Sequence, residues 1–210
     1  LAFILSFAIA FSAVAVIPAS AARGVSSEAR ALEPLGMLIG DGEGVTEEYT
    51  RKEMTRLTAA ISILKLRGLY EDALDYWGYA NFADRDEVKW EDGKNILAYL
   101  KANPDLGFVG DERGRFGPYS NINEQAYYKV LLETLGYKQN GKGVKGDFTW
   151  DDTLKFAASI GLKPAKEARF TIDLLSKATV TALKTMTKEG KRYITVLIDA
   201  GKIKKSKALD

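Results

Sequence analysis

Gly110-Asp111-Glu112-Arg113-Gly114-Arg115-Phe116-Gly117-Pro118 leads, through Ile122, into an apolar run of helical spacing from Ala126 to Leu135. An earlier stretch repeats the plan: Leu35-Gly36-Met37-Leu38-Ile39-Gly40-Asp41-Gly42, then Tyr49-Thr50-Arg51-Lys52-Glu53, then a helical pattern through Ile63. A third copy runs from Ala157 to Ile160-Gly161-Leu162, then Phe170-Thr171-Ile172-Asp173 and an apolar-periodic segment to about Thr187. Each copy reads helix, Gly-rich turn, short polar loop, helix. A unit this small buries too little apolar surface to stand alone, so the three are expected to pack on one another.

Helical spacing is the signal throughout. Ala29, Leu32, Leu35 and Leu38-Ile39 predict a helix over residues 27–39, stopped by the glycines at 40, 42 and 44. Thr50 stands three residues before Glu53, a capping-box spacing, so the next helix is expected to start near Thr50 and carry Met54, Leu57, Ile61 and Leu64 on one face. Further helices are expected after the Asp84 to Asp86 cap, over 121–135, over 149–160 with Thr149 as cap, from Phe170 to about Thr187, and over 188–200. The aromatic segment 68–81 (Tyr70, Tyr76, Trp77, Tyr79) reads as packing between repeats. No segment keeps a sustained period-two alternation, so the expected class is all-α. The expected division is 28–80 for the first repeat and its connector, 81–140 for the second, and 141–209 for the third with a basic C-terminal helix.

Composition narrows the chemistry. Thirty Lys and Arg against 28 Asp and Glu give a formal charge of +2, with no excess that seeks polyanions such as nucleic acid. The balance is uneven: between Lys184 and Lys207 stand eight basic residues against Glu189 and Asp199. Residues 1–17 are uncharged and almost wholly apolar, and Pro18-Ala19-Ser20-Ala21 follows. That pattern suits a secretory leader cleaved before Ala22. The rival reading is a retained apolar segment; at about 1.5 Å per residue it would reach roughly 25 Å, short of a ~30 Å hydrocarbon core. Contact with a membrane is expected only if that segment is retained. The absence of cysteine accords with an exported protein that does without disulfides.

Catalytic constellations are scarce. With neither His nor Cys, the usual general base, thiol nucleophile and zinc ligands are missing. A pair of carboxylates would suffice for glycoside hydrolysis, yet no pair is nominated by spacing. Gly136-x4-Gly141-Lys142-Gly143 approaches a phosphate-binding loop, but Gly143 replaces the hydroxyl that would ligate magnesium, and the segment follows a helix. The turns at Asp41 and Asp111 lack the carboxylate spacing of a calcium loop. No enzyme activity, metal or cofactor is expected.

Tyr49-Thr50-Arg51-Lys52-Glu53 resembles the Ile-Thr-Arg-Ala-Glu signature of S-layer homology repeats. The Gly110 to Ile122 stretch is similar to the loop and helix start around that signature, and Phe82-Ala83-Asp84 with Trp90 to the opening of such a repeat. The resemblance extends over residues 28–209. It implies a pseudo-threefold helical module on the cell surface of a Gram-positive-type bacterium, anchoring an exported protein to pyruvylated secondary cell-wall polysaccharide. It implies further that Thr50, Arg51 and Glu53 form the glycan site, with Arg51 meeting the ketal carboxylate. Asn123 and Glu124 stand where the second copy should have Thr and Arg, and Ala126 replaces its Glu. In the third copy Thr171 matches and Ile172 replaces Arg. Asn123, Glu124, Arg115 and Thr171 are therefore weaker candidates. Simple helix capping is the competing account of Thr50 and Glu53. The alternative function is a structural protein whose copies assemble into a surface layer or filament.

Overall fold

The computed structural model describes residues 24–208 apart from 142 and 144. The leader reading lies outside these residues, and so does Lys142 of the phosphate-loop-like stretch. Nine α-helices are described: α1 (Ser27–Leu32), α2 (Glu47–Arg51), α3 (Arg56–Arg67), α4 (Tyr70–Leu74), α5 (Glu91–Ala102), α6 (Glu124–Thr134), α7 (Thr153–Ser159), α8 (Ile172–Lys184) and α9 (Tyr193–Asp199). Among the described residues there is no strand, only isolated bridges such as Glu53 with Thr171 and Thr55 with Asn121. The all-α expectation holds. No described helix is long and apolar enough to cross a membrane.

Several boundaries fall inside the expected ones, each for a local reason. The first helix stops at Leu32 because Pro34 has no amide to donate, and Gly36 then turns left-handed at φ 70°. Two bonds close that end, from Gly36 N to Glu33 O at 2.9 Å and from Met37 N to Leu32 O at 3.0 Å. The helix expected from Thr149 begins at Thr153, because Thr149 and Asp152 spend their side chains capping each other's amides one turn earlier. Residues 188–192 form a turn tied back by Thr187 N to Lys191 O at 2.7 Å, so α9 starts only at Tyr193. The aromatic connector contains a helix that periodicity missed, α4, which packs between α3 and α5.

The start near Thr50 needs correcting. Thr50 lies inside the short helix α2, where its hydroxyl donates to Glu47 O at 2.9 Å, and Thr46 is the cap. The long helix begins at Arg56 under the cap Thr55, whose Oγ1 accepts from Thr58 N. The Thr50–Glu53 spacing imitates a capping box, but Lys52 and Glu53 are extended and Glu53 joins a bridge instead. A β-region backbone cannot hold the N3 position of a helix.

One continuous core joins the helices. Met54, Leu57, Ala60 and Ile63 from the α3 segment, Tyr127, Val130, Leu131 and Leu135 from the α6 segment, and Leu175, Ala178 and Ala182 from α8 are buried in it. At its centre the Tyr127 hydroxyl bonds Thr179 Oγ1 at 3.0 Å. Burial pushes the Tyr127 phenol up to about 12, with the nearby hydroxyls of Thr179 and Ser62 opposing. Arg67 Nε reaches Thr134 Oγ1 at 3.0 Å, fastening α3 to α6. α7 packs on α6 and α1 on α8.

Candidate functional site

Three helix starts meet at one junction. Thr55, Asn123 and Thr171 are the N-caps of α3, α6 and α8, and each accepts from the backbone amide three residues on. Their lead-in segments bond to each other: Met54 N to Phe170 O at 2.9 Å, Ile122 N to Met54 O at 2.9 Å, and Ile172 N to Lys52 O at 3.1 Å. Met54 thus serves both neighbours. Beside it the Glu53 carboxylate accepts from Asn121 Nδ2 at 2.5 Å and Arg169 Nε at 2.6 Å. Glu53, expected in the glycan site or as a helix cap, instead ties Asn121 and Arg169 to the link between α2 and α3.

By register, then, the residues standing with Asn123-Glu124 and Thr171-Ile172 at N-cap and first helical position are Thr55-Arg56. Arg56 was not singled out from sequence. The local signal was present: Thr55 stands as a cap residue before Arg56, and the apolar periodicity begins straight after it at Leu57.

Arg56 lines a groove of about 570 Å³ with Asp84, Glu87, Val109, Asp111, Arg115 and Phe116. Its Nε donates to Phe116 O at 2.8 Å and its Nη2 to Val109 O at 2.9 Å, while the guanidinium lies 4.9 Å from the Phe116 ring centroid. Asp84 shapes the same wall by accepting from Phe116 N at 2.8 Å and Gly117 N at 2.7 Å. Arg115 is held in a fork by Asp111, Nε at 3.0 Å and Nη2 at 2.9 Å to one carboxylate oxygen. The other oxygen accepts from the amides of Arg113 and Arg115. These bonds, that from the Arg115 amide foremost, hold the Asp111 carboxyl below its ordinary value.

A second groove, of about 710 Å³, is lined by Thr50, Arg51, Glu167, Arg169, Thr171 and Lys177, among others. It gathers sequence candidates from the first and third copies. Arg51, 61% exposed along its side chain, pairs with Glu47, and Lys177 with Asp173 at 2.7 Å. Arg51 and Lys177 are thus tethered to acids of their own helices, and Arg169 to the distant Glu53.

Asn123 and Glu124 line neither groove. Asn123 caps α6 through Ala126 N at 2.8 Å. Glu124, 6% exposed, accepts from Ala165 N at 2.6 Å and Lys166 N at 2.8 Å. Lys166 adopts φ 58°, so two consecutive amides face the carboxylate as a small anion nest. Arg56 and Glu124 therefore do the same task with opposite polarity: each reaches from the start of its helix into a later loop, Arg56 donating to the carbonyls of Val109 and Phe116 and Glu124 accepting from the amides of Ala165 and Lys166. Ile172, at the third such position, is simply buried. Among the described residues no group of three acids is close enough to hold a metal ion.

No protein-family profile, no curated protein and no solved structure matches this chain.

Proposed function

We propose that this chain is a non-catalytic cell-surface module built from three S-layer-homology-like repeats around a pseudo-threefold axis, and that it anchors an exported protein to acidic, pyruvylated cell-wall polysaccharide. The observation that carries this reading is the position of Arg56, in the first turn of α3 beside the cap Thr55 and on the wall of a groove. Further support for the repeats comes from the three equivalent caps, and from Gly36, Gly107 and Gly161, each left-handed and each followed by a buried Met37, Phe108 or Leu162. The threefold plan is broken where α4 stands between α3 and α5.

A guanidinium has five N–H donors, and the carbonyls of Phe116 and Val109 occupy two of those on Arg56. The remaining donors suit a ketal carboxylate, and a charge-assisted bond of this kind contributes about 1.5–3 kcal/mol. Arg51, Arg169 and Lys177 in the neighbouring groove offer weaker, more solvated contacts to an extended chain. The test is retention of the protein on purified cell walls before and after removal of pyruvyl groups. Retention should fall on stripped walls and again with Arg56→Lys, which keeps the charge but loses the fork. Equal retention on stripped walls would overturn the reading.

Assembly with copies of itself is a second reading, favoured by the loop after α4, where Trp77 is 85% and Tyr79 101% exposed. Sedimentation that depends on concentration and is abolished by Trp77→Ser with Tyr79→Ser would support it.

A further inference from the structure

We infer that a third cavity, separate from both grooves, binds a small amphiphilic monocarboxylate. The cavity has about 240 Å³ and lies between α3, the 37–40 turn, Tyr49, Tyr70 and α8. Met37, Leu38, Met54 and Leu175 make its floor, all buried, and Ile61 its flank. Ile39 stands at the rim, 63% exposed, an apolar side chain with nothing over it. At about 30 Å³ for each water, the space corresponds to roughly eight non-hydrogen atoms.

Two polar groups in this apolar wall lack partners. Ser62 is 5% exposed and its Oγ makes no hydrogen bond. Several other helical hydroxyls return to their own backbone: Ser176 to Ile172 O, Thr134 to Val130 O, Thr181 to Lys177 O. Ser62 does not: its hydroxyl stands near the Tyr127 phenol without the geometry of a hydrogen bond, and that phenol is bonded to Thr179. A buried hydroxyl without a partner is unfavourable, and Ser62 turned toward the cavity would donate to a ligand oxygen. The second group is the Lys65 ammonium, one turn along α3. It sits over the Tyr70 ring, 4.7 Å from the centroid, half-buried and in no ion pair among the described residues. Burial works against its charge and outweighs Glu71, which is near enough to favour that charge without contacting it.

A hydrocarbon body of about five carbons fits the floor, and a carboxylate fits the lysine end with one oxygen toward Ser62. A cationic head would meet Lys65 unfavourably, and a purely apolar ligand would leave both groups unpartnered.

The probes are hexanoate, 1-hexanol and hexylammonium, titrated into the full chain and followed by amide chemical shifts. Hexanoate is expected to bind with a Kd of about 1 mM, ordinary for a ligand of eight heavy atoms. Shifts should centre on Leu38, Ile61, Ser62 and Leu175. Hexanol should bind about tenfold more weakly, and hexylammonium not measurably. Lys65→Gln, a half-exposed substitution that leaves the core intact, should bring hexanoate down to the level of hexanol. No binding by any probe at 20-fold above that Kd, shifts centred elsewhere, or hexanoate affinity unchanged in Lys65→Gln would each overturn the inference. Loss of wall retention leaves this result untouched, since no lining residue is shared with either groove.

Discussion

Arg56 lies with its guanidinium 4.9 Å from the Phe116 ring centroid while its Nε donates to the Phe116 carbonyl at 2.8 Å, so one residue grips both the face and the backbone of the other. Sixty positions apart in sequence, the two clamp the loop over residues 109–116 onto the first turn of α3. Burial is the main influence on Arg56, pulling its pKa below the ordinary value with Asp84 opposing, and the group stays charged throughout any working range. Arg56→Ala should remove a charge-assisted bond and a stacking contact together, lowering stability by about 1.5–3 kcal/mol. Denaturant unfolding measures this, and Arg56→Lys should recover less than half of it. A loss under 0.5 kcal/mol would leave the clamp without energetic weight.

Glu124 should behave as a structural anchor rather than a ligand contact. Glu124→Gln keeps the shape but replaces an acceptor-only carboxylate with an amide whose NH2 opposes the Ala165 or Lys166 N–H. Removing one charge from a buried hydrogen-bonded site costs about 1–3 kcal/mol. Limited proteolysis should show faster cleavage within 163–169 in the variant, with wall retention unchanged at a temperature where both proteins are folded. Unchanged cleavage would argue that Lys166 holds its left-handed backbone without help.

The division between what was legible and what was not follows the range of the interactions. Helix class and most helix centres were readable because Leu57, Val130 and Leu175 recur with the period of their own elements. Helix α4 was not, because Tyr70 to Leu74 is too short to show a period and is fixed by packing against α5. Of the candidate residues, Thr50, Arg51 and Thr171 do come to one groove, and Glu53 borders it through its bridge to Thr171. Arg115 lies in the other groove, whereas Glu124 is drawn to Ala165 and Lys166, 41 and 42 residues away, a contact no local spacing encodes. Arg56 was hidden by a five-residue ambiguity: two Thr-Arg pairs stand in a row, and only the extended backbone at Lys52 and Glu53 decides between them.

Acid should loosen the second copy's loop before it unfolds the core. Asp111 is held below its ordinary value in the folded state by the Arg115 and Arg113 amides and the Arg115 guanidinium. A depressed folded pKa gives stability that is present above the unfolded value near 3.8 and lost as pH falls through the folded one. Asp147, lowered mainly by Lys188, should follow the same course. Carboxyl carbon shifts report both titrations directly. The Arg113 and Arg115 amide shifts should move with the Asp111 midpoint, and a midpoint at or above the ordinary value would contradict the hydrogen-bond assignment.

Alkali acts on the core instead. Burial raises the Tyr127 and Tyr193 phenols to about 12. Both states keep these protons below the unfolded value near 10, so stability is intact there. Between about 10 and 12 the unfolded chain ionises first and gains, and stability falls as pH rises. Absorbance at the phenolate band should therefore show the buried tyrosines titrating together with loss of helical ellipticity. If they ionise while the helices persist, the Tyr127 to Thr179 centre is more open than its zero exposure implies.

Two glycines separate backbone strain from collision. Gly161, at φ 95°, has nothing within 4 Å of where a Cβ would stand, so Gly161→Ala meets only the left-handed penalty of about 1–2 kcal/mol. Gly40, at φ 88°, would place its Cβ 2.0 Å from the carbonyl oxygen of Gly44, a contact that backbone on both sides prevents from relaxing cheaply. Gly40→Ala should therefore open the 40–44 turn, releasing Asp41 from Lys52 and displacing the cavity rim at Ile39. Hydrogen exchange is the readout: Gly161→Ala should lower protection modestly at the end of α7, whereas Gly40→Ala should abolish it across residues 37–49 and leave α6 unchanged. Equal effects of the two substitutions would mean that the 40–44 turn is loose enough to absorb the clash, and that the turn does not define the wall of either the cavity or the junction.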